Sequence, residues 1–210
     1  ELWTKSSENE FARLFDGYNG VEGLNVMEWI AWDAVPKQKT VTYARYVCAY
    51  RPEKAEQYRT RITVGGDRLD YNGDVSTRVS TMETFKMLLN STVSTPGAKM
   101  FTGDISNMYL NSFLPESEYV KFSVALIPPN IIKHYNLEPL IHNGHVYAKI
   151  NKAIYGLKQS GKIANQDLIK HLGKSGYHPV PLTDGLFTHD TRPTAFSLVV
   201  DDFAVRYSTK

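Results

Sequence analysis

Apolar positions along the chain predict its elements. Phe11, Leu14 and Phe15 share one helical face, which predicts a short opening helix, with Ser7 and Glu10 as a capping box and Gly17 as its end. β-Branched and aromatic residues fill 41–47 and 58–64, and the turn-forming Arg51-Pro52-Glu53-Lys54 between them predicts a hairpin. Met82, Phe85, Leu88, Leu89 and Val93 repeat at helical spacing before Pro96-Gly97. With Ser80 and Glu83 as a second capping box, they predict a helix with a buried stripe. Strand-like runs follow at 98–105, 119–124 and 145–150. Ile163, Leu168 and Leu172 then mark a further helix ended by Gly173 or Gly176. Finally, 195–200 and 203–207 are two strand-like runs separated by Asp201-Asp202, a tight hairpin with acid at its tip. This order predicts an α+β fold, an antiparallel sheet with packed helices, rather than a repeating βαβ array.

Composition narrows the class. With 210 residues, 42% apolar and 22% charged, the chain is long enough to bury a core. No stretch reaches the roughly 20 apolar residues of a membrane helix, and the start at Glu1-Leu2-Trp3-Thr4-Lys5 has no apolar signal core. A soluble, intracellular protein without a membrane partner is expected. Cys48 is the only cysteine, so an internal disulfide and a cysteine zinc cage are both excluded. The net charge of +2 is compatible with a polyanionic partner without predicting one. A first residue other than Met, and a last residue directly after an apparent strand, read as cut ends of a larger polyprotein.

The candidate chemistry lies in carboxylates. Asp201 and Asp202 are adjacent like charges between apolar strands, and taken alone they are explained by turn-forming chemistry. Asp104 closes the run Lys99-Met-Phe-Thr-Gly-Asp, where a carboxylate would project at a strand end. Three clustered carboxylates repel one another unless a hard cation neutralises them, and Mg²⁺ prefers such oxygen donors together with substrate phosphates. A pair of ions about 4 Å apart activates an attacking hydroxyl and stabilises a leaving oxygen in phosphoryl transfer. Placement alone also admits turns, caps or another metal enzyme.

Four segments resemble motifs of copia-type reverse transcriptases, in that family's order. Arg59-Thr-Arg-Ile-Thr-Val-Gly-Gly-Asp-Arg resembles the basic fingers strand, and Phe101-Thr-Gly-Asp-Ile-Ser-Asn-Met-Tyr-Leu-Asn the first catalytic motif. Ile154-Tyr-Gly-Leu-Lys-Gln-Ser resembles the substrate-side motif, and Leu198-Val-Val-Asp-Asp-Phe the Asp-Asp hairpin. The resemblance implies an RNA-directed DNA polymerase, a nucleotidyltransferase, with a right-hand fold. Residues 1–94 would be mainly fingers and 95–210 mainly palm, without thumb or ribonuclease H. It implies that Asp104, Asp201 and Asp202 are catalytic and hold two Mg²⁺ ions, with Mn²⁺ as a substitute and the Ile105 main chain as a further ligand.

The same resemblance gives the deoxynucleoside triphosphate its contacts. Backbone N–H groups of Ser106, Asn107 and Met108 would form a nest for its phosphates. Arg59 and Arg61, two residues apart and so projecting the same way, would clamp the triphosphate. Tyr109 would lie under the sugar and exclude a 2′-hydroxyl, and Gln159 would contact the sugar and the template side. Implied partners are an RNA/DNA template–primer duplex, dNTP and the rest of a retrotransposon polyprotein, including integrase and RNase H. The implied location is the cytoplasm, a virus-like particle or the nucleus. One departure stands out: Val199 occupies the position where many reverse transcriptases carry Tyr.

Other readings are weaker. Gly65-Gly66-Asp67 is similar to the turn of bacterial cyclases but lacks the acid and aromatic that follow there, and His142-Asn-Gly-His145 reads as a turn rather than a zinc pair. A metal-dependent nuclease needs no sugar gate. A decayed or domesticated remnant that grips nucleic acid without polymerising is the non-enzymatic alternative.

Overall fold

Helices and short strands alternate irregularly through residues 1–208, the part of the chain that the computed structural model describes. The chain opens with α1 (Leu2–Leu14), β1 (Gly17–Tyr18), β2 (Val21–Glu22), β3 (Met27–Ile30), β4 (Val41–Tyr50) and β5 (Tyr58–Val64). Next come α2 (Met82–Ser94), β6 (Ala98–Asp104), β7 (Phe113–Ser123), α3 (Pro129–His134) and β8 (His145–Lys152). α4 (Ser160–Lys174), β9 (Tyr177–Pro179), β10 (Leu186–His189), β11 (Thr194–Val199) and β12 (Asp202–Ser208) follow. The fold is α+β, as the mixed pattern predicts. By contacts the chain divides into two units, each built from two stretches. Unit 1 comprises Glu1–Gly73 and Tyr109–Ser160; unit 2 comprises Asp74–Met108 and the chain from Gly161 on.

Unit 1 holds a five-stranded sheet in the order β3-β8-β7-β4-β5. The predicted hairpin is β4–β5, antiparallel from Ala44↔Val64 to Tyr50↔Tyr58, while β4 and β7 pair in parallel. In β8 every second residue, Val146, Ala148 and Ile150, is buried, as a strand with one core face requires. Phe11 of α1 and Phe15, the residue that caps it, meet Trp29 and Phe122 in an aromatic core, with the Phe15 and Trp29 rings stacked at 4.0 Å.

β5 is an edge strand, and its outward N–H groups need partners. Thr60 N–H donates to Ser6 Oγ at 2.6 Å, Ile62 N–H to Glu10 Oε1 at 3.2 Å, and Val64 N–H to the Tyr155 carbonyl at 2.9 Å. Ser6 and Glu10, one turn apart on α1, thus close the sheet edge. The expected capping box at Ser7 and Glu10 is not formed, because the helix begins at Leu2 and Glu10 is committed to β5. Glu10 is 2% exposed and also pairs with Arg59 at 3.2 Å and with Arg13. Glu10→Ala is expected to cost about 3 kcal/mol in urea unfolding, since it orphans a buried N–H and uncouples two guanidinium groups. Glu10→Gln, which keeps the acceptor, should lose less. Equal losses for the two variants would overturn this account of the edge.

Unit 2 is an antiparallel sheet in the order β6-β12-β11-β10-β9. Phe187, Phe196 and Leu198 form its buried cluster, against which Leu168, Ile169 and Leu172 of α4 pack along with Phe203 and Val205. Gly176, at φ +80°, follows the last turn of α4 in the left-handed conformation that ends helices. Two expectations about α2 are corrected. Thr81 rather than Ser80 caps it, its Oγ1 accepting from Thr84 N–H at 3.3 Å, while Ser80 N–H is tied to the Leu198 carbonyl. The helix buries Thr84 and Leu88, but Met82, Leu89 and Val93 are 61%, 44% and 78% exposed. Periodicity identifies an apolar face without saying what covers it.

Candidate active site

β11 and β12 form the predicted hairpin, with six residue pairs from Thr194↔Tyr207 to Val199↔Asp202. Its two-residue turn is therefore Val200-Asp201, one position earlier than the acid pair suggests, and Asp202 already belongs to a strand. Val200 sits at φ +59°, a left-handed conformation that a β-branched residue rarely adopts. The backbone is thus strained directly before the first acid of the pair.

β12 also pairs with β6, and this register brings the mid-chain acid to the hairpin. Asp104 lies directly opposite Asp202, and Ile105 N–H donates to the Asp201 carbonyl at 3.0 Å. Opposed residues in an antiparallel pair project to the same face, so the Asp104 and Asp202 carboxylates stand side by side. Both are exposed and Asp201 is half-buried. No salt bridge involves any of the three among the described residues. Asp104, Asp202 and Val199 line a cleft of about 670 Å³ together with Thr81, the cap of α2, and Met82 and Phe85 of that helix.

The donor chemistry suits a hard cation. Carboxylates directly opposed without a basic partner repel, and a divalent ion held by oxygen ligands relieves that repulsion. Two carboxylates are aligned by register and the third sits on the adjoining turn. Among the described residues, no set of three or more His, Cys, Asp and Glu side chains is already gathered as a metal cage.

After β6 the chain turns at Asn107, whose φ of +56° is tolerated by Asn better than by most residues. A left-handed residue between right-handed neighbours is the backbone habit that turns successive N–H groups inward. Ser106 is exposed and Met108 is 7% exposed.

The remaining residues singled out from the sequence belong to unit 1, where the two arginines part company. Arg59 pairs with Glu10 at 3.2 Å and Glu56 at 3.0 Å, its side chain only 11% exposed. Arg61 is exposed, its guanidinium carbon 5.8 Å from the centre of the Tyr155 ring. Tyr109 is half-buried and packs against the same Tyr155 at 5.1 Å between centroids. Gln159 lies inside the unit at 4% exposure. Its Nε2 donates to Glu118 Oε1 at 3.3 Å, and its own Oε1 has no partner among the described residues. Burial pushes the Glu118 carboxyl above the usual carboxylate range, against the pull of nearby Lys39.

Sequence pattern alone does not single out Tyr155 and Glu118, or the two glycines that position Tyr155. Gly156 has φ +104°, and a Cβ there would fall on the Val64 carbonyl oxygen; a Cβ on Gly66 would fall on the Gly156 carbonyl oxygen. The available signal is a Tyr-Gly step inside the substrate-side motif, together with a Gly-Gly step at a strand end. Elsewhere the pattern holds: His142 and His145 close a turn through two backbone bonds of 2.8 and 3.0 Å.

An α+β chain that sets a strand-end aspartate against an Asp-bearing hairpin has the features of a nucleotidyltransferase. The family described as reverse transcriptase (RNA-dependent DNA polymerase) matches residues 30–209, and the chain belongs to its copia-type branch. RNA-directed DNA polymerase, a nucleotidyltransferase, is therefore its enzyme class. Reverse transcriptase domains bind template–primer nucleic acid and dNTPs. Among the described residues no helix is long and apolar enough to cross a membrane.

Proposed function

We propose that the chain extends a primer 3′-hydroxyl with deoxynucleotides, using the β6–β12 strand ends as its catalytic floor. The observation that carries this reading is the register of Asp104 against Asp202, with Ile105 N–H on the Asp201 carbonyl. Asp104, Asp201 and Asp202, with the Ile105 main chain, are the residues that would hold two Mg²⁺ ions. When bound, these ions neutralise phosphate charge and lower the pKa of the attacking hydroxyl. In the reaction the primer 3′-hydroxyl loses its proton to solvent, its oxygen bonds to the α-phosphorus, the bond from that phosphorus to the oxygen bridging the β-phosphate breaks, and pyrophosphate leaves.

The protein's own contribution is orientation. The N–H groups of Ser106, Asn107 and Met108 would take phosphate oxygens, a role supported by the left-handed turn at Asn107. Arg61, exposed and without a salt bridge among the described residues, suits the triphosphate better than Arg59, whose charge is met by two carboxylates. Tyr109 acts as the gate against a 2′-hydroxyl. Gln159, 4% exposed and donating to Glu118, would support the motif from inside unit 1 rather than contact the sugar directly. Unit 2, with the Asp-Asp hairpin, is assigned to the palm, and unit 1, with the β4–β5 hairpin, to the fingers. This gives residues 109–160 to the fingers, where a single division near residue 94 gives them to the palm. Integrase and RNase H, as neighbours in a polyprotein, belong to the same reading.

The test is incorporation on a primed RNA template with the chain itself. Uptake of dNTP should require Mg²⁺ or Mn²⁺, and Tyr109→Ala should admit ribonucleotides that the parent chain rejects. Duplex binding that weakens with salt but brings no incorporation under any divalent ion would instead assign a non-polymerising nucleic-acid binder.

A further inference from the structure

Two side chains of unit 1 meet a third, the Tyr155 ring, which has no role in the proposed reaction. Tyr155 meets the Tyr109 ring at 5.1 Å and a 58° tilt, and the Arg61 guanidinium lies 5.8 Å from its centre. Tilted aromatic pairs and a cation over a ring face are both attractive geometries, so Tyr155 gives each neighbour a preferred place.

The backbone makes this ring a fixed point. Tyr155 C=O accepts from Val64 N–H at 2.9 Å, which joins it to the strand that carries Arg61. The turn that carries Tyr109 is tied to the same segment: Ser112 N–H donates to the Tyr109 carbonyl at 3.1 Å, and Ala153 N–H donates to the Ser112 carbonyl at 2.7 Å. Ala153 and Ile154, just before Tyr155, are fully buried, and Gly156 after it admits no side chain against Val64. Strand, turn and motif are thus hydrogen-bonded to one short segment, and Tyr155 is the side chain it presents to both.

We infer that Tyr155 is a positioning residue, which sets the Tyr109 ring and the Arg61 guanidinium relative to each other and so governs discrimination against ribonucleotides. It acts through its contacts with these two side chains. The inference rests on the reading of Tyr109 as the sugar gate. A gate works only if its ring cannot swing aside, and small displacements at a reacting centre carry large kinetic penalties. Removing the Tyr155 ring takes away one of the contacts that hold the Tyr109 ring in place.

The measurement is kcat/KM for dCTP and for CTP on a primed RNA template, with parent chain, Tyr155→Leu, Tyr155→Phe, Tyr109→Ala and the Tyr109→Ala/Tyr155→Leu double variant. Tyr155→Leu should reduce the dCTP-to-CTP preference by about tenfold, chiefly through a lower KM for CTP, and Tyr155→Phe should restore the parent preference. In the Tyr109→Ala background the Tyr155→Leu change should have no further effect on preference, because the element it positions is gone. If Tyr109→Ala collapses the preference while Tyr155→Leu leaves it intact, the inference is wrong and the gate stands. If neither change moves it, the gate reading fails and takes the inference with it. Should Tyr155→Leu not fold, Tyr155→Met is read in the same way, and a preference equal to the parent's overturns the proposal.

Discussion

Asp104→Asn will reduce Mg²⁺-dependent dNTP incorporation by at least about 10³-fold, while the folded chain loses no stability. The two halves of this expectation come from one geometric fact. Asp104 and Asp202 are directly opposed across β6 and β12, and like charges in that arrangement are unfavourable until a cation joins them. Replacing one by an amide of the same shape removes a repulsion, so thermal unfolding without metal should stay level or shift upward. The parent chain should also gain stability as Mg²⁺ is added, by the usual linkage of ligand binding to folding, and Asp104→Asn should lose most of that gain. Incorporation that survives in Asp104→Asn, or an equal Mg²⁺ effect on both chains, would remove the catalytic reading of this strand end.

The second large effect is structural. Gly156→Ala is expected to destabilise unit 1 by about 4 kcal/mol, a large share of the roughly 5–15 kcal/mol that holds a domain together. Its φ of +104° is closed to L side chains, and the added Cβ would fall on the Val64 carbonyl oxygen, so conformational strain and overpacking add. Gly20 supplies the internal control. It also has positive φ, +80°, but a Cβ there would meet nothing within 4 Å. Gly20→Ala should therefore cost only about 1 kcal/mol. Urea unfolding of both variants compares close approach with backbone conformation. Similar losses would mean that the Tyr155-Gly156 turn does not press on β5.

The contrast between these two sites explains what is legible in the sequence. Asp104, Asp201 and Asp202 can be singled out because each sits at a break in an apolar run, and the opposition of Asp104 to Asp202 follows from a hairpin added to one neighbouring strand. The turn itself lies at Val200-Asp201, one residue earlier than expected, although Asp-Asp is the better turn chemistry. The strained Val200 is a local preference overridden by the register of β12 on β6. Ser7 and Glu10 have the spacing of a capping box, yet Glu10 is drawn to the edge of a strand more than fifty residues away. A motif of four residues carries no information about such a partner. Arg59 and Arg61 alternate identically along β5, so only the carboxylates brought up by α1 and the β4–β5 connection separate them.

Hydrophobic period and turn chemistry are local properties, and they mark α1, α2, α4, the β4–β5 hairpin, β6 to β8, the final hairpin and the acids at strand ends, whereas the short β1, β2, β3, α3, β9 and β10 carry no pattern of their own. Motif order likewise marked the family. Which guanidinium is neutralised, which ring supports Tyr109, why Gly156 admits no side chain and which apolar face of α2 stays open were decided by tertiary structure alone. Each depends on atoms far apart in the chain whose distance is set by packing, and packing is a property of the whole fold.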